Sequence, residues 1–192
     1  MSALALSSEG LTRPAFEIRA EAPADVAARE ALLDRAMGPG RKRKSSEAIR
    51  RGRLPAEGLA FSALDGSGAL TGTVRLWNIG AGMREGAAVP ALLLGPLAVD
   101  PRQHGGGLGS AMMREAIADA QKRGHGAIIL VGDPEYYARF GFSAEKTGAL
   151  FMPGPFERHR LLALELIPGW LDGVAGRITP TGRKIERRRV AA

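Results

Sequence analysis

Tyr136-Tyr137-Ala-Arg-Phe140-Gly141-Phe142 sets two phenols on one short aromatic segment. A phenol with an ordinary pKa of about 10 is protonated at neutral pH, so either ring could donate a proton to a leaving group or simply pack in a core. Upstream, Val99-Asp-Pro-Arg-Gln-His104-Gly-Gly-Gly-Leu-Gly-Ser110 gathers four glycines into five positions directly before a helix-patterned stretch. Glycine accepts positive φ and carries no side chain, so consecutive backbone N–H groups there can converge on one anion, and the helix that follows adds its positive end. That is the chemistry of holding a phosphate. Ser110 can add a hydroxyl to the anion or sit in the first helical turn. A general base is less marked: Glu85, Asp100 and Asp133 can each serve as a base or as an ordinary surface or capping acid. His125 lies between two glycines, and His159 has no partner visible in the sequence.

The elements that must position these groups alternate in type. Phe16 to Arg19 alternates as a short strand, and order is expected to begin near Ala15. Asp25 can cap a helix that carries Val26, Leu33 and Met37 on one face and stops at Gly38-Pro-Gly40. A basic helix follows from about Ser45 to Arg53. The runs Leu59 to Leu64 and Ala69 to Trp77 flank Asp65-Gly-Ser-Gly68, which is hairpin chemistry. A strand from about Ala91 to Val99 is broken by Gly95-Pro96, where the missing ladder donor predicts a bulge or a splay. The glycine loop then opens a helix to about Arg123, with Met113, Ala116, Ile117 and Ala120 on its buried face. Ala127 to Val131 reads as a buried strand, Pro134 to Phe140 as a short helix and Leu161 to Leu166 as a late strand. The fold class is therefore mixed α/β, with antiparallel strands first and a strand-helix-strand crossover after them.

Length and composition suit one domain with a full core: 192 residues, of which 45% are apolar. The expected division is a flexible start over 1–14, a single domain over 15–176 and a basic tail over 177–192. No apolar run is long enough for a membrane span and the N-terminus has no signal-peptide pattern, so no membrane partner and a cytoplasmic location are expected. With no cysteine, thiol nucleophiles, disulfides and zinc-thiolate sites are excluded. The net charge of +7 is concentrated in two stretches, residues 41–53 at +6 and residues 177–192 at +5, which leaves the remainder mildly acidic. Such runs usually form solvated faces, although Arg41-Lys-Arg-Lys44 and Arg187-Arg-Arg189 would also suit a polyanion or a phosphate.

Taken together, the second half of the chain resembles the GCN5-related N-acetyltransferase superfamily. Its acetyl-CoA signature, a Gln or Arg, two residues, Gly, one residue, then Gly or Ala, is matched by His104-Gly-Gly-Gly107-Leu-Gly109. His104 replaces the usual Gln or Arg but can still donate a hydrogen bond, and Gln103 stands one place earlier. A second family element, an aromatic helix ending in Gly-Phe, is matched by Tyr136 to Phe142. The resemblance implies a largely antiparallel mixed sheet flanked by helices, with strands splayed at the cofactor site. It implies acetyl-CoA as co-substrate with no metal, and direct transfer in a ternary complex to an amine of a small molecule or a protein; a homodimer is compatible with it. The pyrophosphate would meet the amides of Gly105, Gly106, Gly107, Leu108, Gly109 and Ser110, with His104 beside them. The pantetheine would pair along Leu97, Ala98 and Val99, and Tyr137, three residues short of Gly141, would be the proton donor.

Two other readings compete. Gly105-x-Gly107-x-x-Ser110 is one residue from a dinucleotide fingerprint, and Asp133 follows the next strand at nearly the required distance, which suggests an NAD-type oxidoreductase. Too little chain follows Asp133 to complete such a sheet. A non-enzymatic nucleic-acid-binding module would use the basic stretches, yet aromatic residues make up only 5% of the chain and none interleaves with them. This argues against nucleic acid as a partner.

Overall fold

The computed structural model describes residues 16–103 and 106–186; the expected flexible start, His104, Gly105 and Arg187-Arg-Arg189 lie outside them. Apolar residues at every second position make the sheet the organising element. The strands are β1 (Phe16–Ala20), β2 (Ala60–Asp65), β3 (Leu70–Arg84), β4 (Ala87–Val99), β5 (Ala127–Val131), β6 (Leu150–Phe151), β7 (Leu161–Glu165), β8 (Gly176–Arg177) and β9 (Thr179–Pro180). The helices are α1 (Val26–Met37), α2 (Ser45–Arg50), α3 (Leu108–Lys122) and α4 (Pro134–Tyr137). A seven-stranded sheet runs β1-β2-β3-β4-β5-β7, with β9 against the far half of β3, and a small β6-β8 pair lies apart from it. Within the main sheet every pairing is antiparallel except β4 with β5. One parallel pair in an antiparallel sheet is not the doubly wound parallel architecture a dinucleotide fold needs.

The two faces of the sheet are covered differently. Leu92, Leu94, Ile128 and Leu130 point to the face carried by α3, whose Leu108, Met112, Met113, Ala116 and Ala120 are all buried. Gly72 lets that helix approach, since a Cβ there would stand 2.6 Å from Met112 Sδ. Leu93, Ala127 and Ile129 point the opposite way, onto a second cluster with Ile49, Leu150 and Ile178. Between Val74 and Leu76 the β3–β4 register slips, so that Leu97 faces Val74 and Leu94 faces Leu76. Because β4 spends three residues where β3 spends two, Leu94 and Leu97 reach the same face despite their odd spacing. The bulge expected at Gly95-Pro96 is present, and the peptide bond between the two is cis.

Several boundaries differ from the sequence reading. Strands β3 and β4 continue through residues 78–90 to a tight turn at Glu85-Gly86, where both residues have positive φ. Gly80, Gly82 and Pro90 resemble strand breakers in the sequence. Gly82 is required by packing, because a Cβ would stand 2.6 Å from the Ala175 carbonyl oxygen, and the Pro90 carbonyl accepts Trp170 Nε1 at 2.8 Å. Asp25 does not cap α1 with its side chain. Its carboxylate accepts hydrogen bonds from the Ala22 amide, both Arg19 Nη atoms and Ser62 Oγ, which hold it well below the usual carboxylate range. Val26, expected on the buried face of α1, is exposed; Leu33 and Met37 do lie on that face, and Arg29 and Leu32 complete it. Residues 177–186, expected as the start of a basic tail, pack on the domain: Ile178 is fully buried, β9 pairs with β3, and the Ile185 amide donates to the Gly52 carbonyl. No helix among the described residues is long and apolar enough to cross a membrane.

Candidate active site

Where β4 turns into α3, Asp100 ties the chain. Its buried carboxylate accepts from the Arg102 amide at 3.0 Å, from Arg102 Nε and Nη2, and from Arg35 Nη2 at 3.2 Å. The adjacent Arg102 guanidinium is the chief reason that its pKa lies well below the usual carboxylate range. A carboxylate so fully occupied is a poor proton acceptor. Asp133 accepts the Glu135 amide at 3.1 Å as the cap of α4, and Glu85 sits in the β3–β4 turn. His125 is pushed below its ordinary pKa by burial and by Arg123, while His159 is exposed beside Glu157. The structure does not bring these base candidates together.

Past that knot, Gly106 and Gly107 are exposed and Gly107 takes φ +73°, the left-handed conformation that favours glycine. Helix α3 begins at Leu108 with no side-chain cap, so the amides of its first turn remain open to an anion. Leu108 sends its side chain into the core, leaving only its backbone for the site, whereas Gly109 and Ser110 are half-buried. A Cβ on Gly109 would lie 3.1 Å from the Tyr136 hydroxyl, so this glycine admits the aromatic segment beside the helix start.

Strands β4 and β5 pair only at Leu92 with Ile128 and Leu93 with Ile129. Beyond those pairs Leu94, Gly95, Pro96 and Leu97 on one side and Leu130 and Val131 on the other border a common cavity of about 410 Å³. This is the splay expected from Gly95-Pro96. Trp77 Nε1 donates to the Gly95 carbonyl at 2.6 Å and holds the bulge. Of the β4 residues expected to pair with pantetheine, Leu97 borders the cavity and packs toward α3, while Ala98 is buried against Leu32 and Leu33 of α1. Val99 is half-buried beside the start of α3.

Tyr137 lines the same cavity, in edge contact with Tyr136 and Phe142. Burial pushes its phenol up to about 12, with the neighbouring Tyr136 adding to the effect, so the hydroxyl keeps its proton across the neutral range. Gly132 sets the ring's position. A Cβ at Gly132 would overlap Tyr137 Cε2 and stand 2.7 Å from Cδ2, so the phenol lies directly on bare backbone. Sequence reasoning missed this glycine, whose only signal is its place between the β5 run and the aromatic segment.

The far wall is basic. Helix α1, helix α2 and the segments flanking α2, with Arg75 from β3, contribute eight Lys or Arg side chains to the cavity lining against two glutamates, Glu30 and Glu47. The stretch 41–53 is thus more than the solvated face its charge suggests. Ile49 is fully buried and anchors α2 on the sheet, which turns the neighbouring Arg50 inward with only 11% of its side chain exposed.

A family model described as the acetyltransferase (GNAT) family matches residues 27–142. The uncharacterized N-acetyltransferase YhbS of Escherichia coli K12 is 28% identical over 159 residues, spanning 83% of this chain and 92% of that protein. The crystal structure of E. coli YhbS in complex with CoA superimposes with a TM-score of 0.73 at 27% identity, covering 88% of this chain and 91% of that one. A GNAT-family acetyltransferase from Brucella melitensis in complex with acetyl-CoA superimposes with a TM-score of 0.57 at 26% identity, over 79% of this chain and 97% of the other.

Proposed function

The chain belongs to the acetyltransferase (GNAT) family and is an acyltransferase; we propose that it moves the acetyl group of acetyl-CoA directly to a primary amine within a ternary complex. The observation that carries this reading is the opening between β4 and β5, with Tyr137 in the cavity that the opening creates. That the similar E. coli and B. melitensis proteins were crystallised with CoA and acetyl-CoA supports this reading. Uncapped amides at Leu108, Gly109 and Ser110, behind the open turn at Gly106 and Gly107, fit a pyrophosphate, and His104 and Gly105 belong to the same proposed contact. The freed edge of β4 at Leu97, Ala98 and Val99 fits the amides of a pantetheine arm.

When bound, acetyl-CoA supplies an acetyl group already activated as a thioester. The chain then has three tasks. Its backbone aligns the thioester at the splay, where a β4 amide can polarise the carbonyl. The cavity holds the amine against the reacting carbon. Tyr137, kept protonated by burial, donates its proton to the departing thiolate sulfur. The amine must arrive neutral; with Asp100 and Asp133 bound to backbone amides and Glu85 away in the β3–β4 turn, the proton it sheds on forming the amide passes through water and restores the Tyr137 phenol.

Calorimetric titration with acetyl-CoA, with NADH as control, tests the reading. The expected result is micromolar acetyl-CoA binding and no NADH heat, with stabilisation of about 2.7 kcal/mol at a hundredfold excess over Kd. Absence of both heat and stabilisation with acetyl-CoA would overturn it.

A further inference from the structure

The cavity wall built by α1, α2 and their flanking segments carries more positive charge than its own carboxylates neutralise. Glu21 pairs with Arg29 and Arg75, Glu30 with Arg29 and Arg41, Asp34 with Arg41, and Glu47 with Arg50. Lys42, Lys44, Arg51 and Arg53 also line the cavity and find no carboxylate within ion-pair distance among the described residues. This charge is separate from the glycine loop proposed to hold the phosphates, because no described residue between 98 and 129 borders the cavity. Of the basic groups in the lining, Arg50 is the one that reaches the bulge at Gly95. Its Nη2 meets Glu47 at 3.1 Å, while its Nη1 lies 3.6 Å from the position a Cβ on Gly95 would take, directly beside the splayed backbone. A largely covered guanidinium that shares a single carboxylate has donors to spare for a planar or tetrahedral anion. Burial, reinforced by nearby Arg41 and Arg75, also depresses its pKa, which marks an environment that an added negative charge would relieve.

We propose that the acceptor is a small amine that also carries a carboxylate or phosphate group, and that this anion docks on Arg50 in the basic wall while the amine faces the splay. The proposal rests on the transferase reading for the fate of the amine, but the anion site stands on its own geometry. A cavity of about 410 Å³ suits a small ligand of this kind beside an acyl group. The surplus charge at Lys42, Lys44, Arg51 and Arg53 attracts it toward the mouth.

Matched probes of similar basicity test the idea: γ-aminobutyrate against butylamine for the carboxylate, and O-phosphoethanolamine against ethanolamine for the phosphate. Binding is read from the fluorescence of Trp77, which lines the cavity, and acetylation from release of the CoA thiol. The expected result is that at least one anionic member binds about tenfold or more tightly than its neutral mate. In Arg50→Gln this preference falls to within about twofold, and in the charge-keeping Arg50→Lys it is reduced but retained. If Arg50→Gln does not fold, the reduced preference of Arg50→Lys decides the point. Equal binding of both members, an undiminished preference in the variants, or binding only of an acidic peptide used as a further probe would overturn the proposal. Selective anion binding without thiol release, in a protein that acetyl-CoA fails to stabilise, would support the anion site and overturn the transferase reading.

Discussion

The two ends of the site are built from different material. At the start of α3 the chain offers backbone: Gly107 at φ +73°, a first helical turn without a side-chain cap, and a β4 edge released by the bulge, while the Leu108 and Ala98 side chains are spent on the core. On the α1–α2 wall it offers side chains, chiefly arginines, with Leu32 and Leu33 anchoring α1 and Ile49 anchoring α2. A site made of amides restricts residue type, because few residues tolerate the left-handed region or so close an approach. One made of charged side chains restricts only sign and direction. The first therefore leaves a spaced signature in the sequence, and the second leaves a basic run that any solvated helix could share.

Tyr137 stands between these ends, and its removal should produce the largest effect. Tyr137→Phe is expected to lower kcat by about 10²- to 10⁴-fold while the acetyl-CoA dissociation constant stays within about threefold, as steady-state kinetics and calorimetry would measure. Because burial holds the phenol up to about 12, raising the pH favours the neutral amine without ionising the acid. The wild-type profile should accordingly show no alkaline fall due to this group through a pH of about 10, the ordinary tyrosine value. A variant altered only in KM would make Tyr137 part of the acceptor wall and remove the distinction between a reacting centre and its two flanks.

The same division explains what could be read from residues alone. The turn at Asp65 to Gly68 was legible because Asp65 Oδ1 takes the amides of Ser67 and Ala69, a local interaction that the residue types announce. Helix α3 and strand β5 were legible from their 3.6-residue and continuous apolar patterns, and the bulge from proline's missing donor. The far half of the β3–β4 hairpin was not, because Gly82 is required by the Ala175 backbone and the Pro90 carbonyl is held by Trp170, partners about 80 to 90 residues away in the chain. Distance in sequence also hid the docking of 177–186: Ile178 belongs to a cluster with Ile49 and Ile129, and Lys184 bridges to Arg53. The inward turn of Arg50 was hidden for a related reason, since it depends on which face Ile49 anchors.

Gly132→Ala sharpens the comparison from the other side, because it leaves every chemical group in place and moves one. A Cβ that overlaps the Tyr137 ring forces the phenol outward or the β5 exit aside. A displacement on the order of 1 Å at a reacting group corresponds to about a hundredfold loss in kcat. The expected signature is that loss with nearly unchanged acetyl-CoA affinity and an anion preference still governed by Arg50. Full kcat in the variant would mean that the ring's position is immaterial, and the acid assignment would fail with it.

Gly107→Ala should have the smallest effect of the three, and it probes whether the amide-built end depends on backbone conformation. A Cβ on Gly107 would meet nothing within 4 Å, so the penalty comes from the φ of +73° alone. An L-residue in the left-handed region costs about 1–2 kcal/mol. If the turn keeps its shape, the cost appears as a Tm lower by about 2–8 °C with acetyl-CoA affinity retained. If the turn relaxes, stability is retained and the acetyl-CoA dissociation constant rises about five- to thirtyfold. Gly106→Ala is the control, since Gly106 lacks positive φ and its new Cβ would meet the Gln103 carbonyl oxygen at an ordinary 3.6 Å. The two alanines differ in the backbone conformation they must adopt, so equal effects on Tm and affinity would show that open space, not the left-handed turn, is what the glycines provide there.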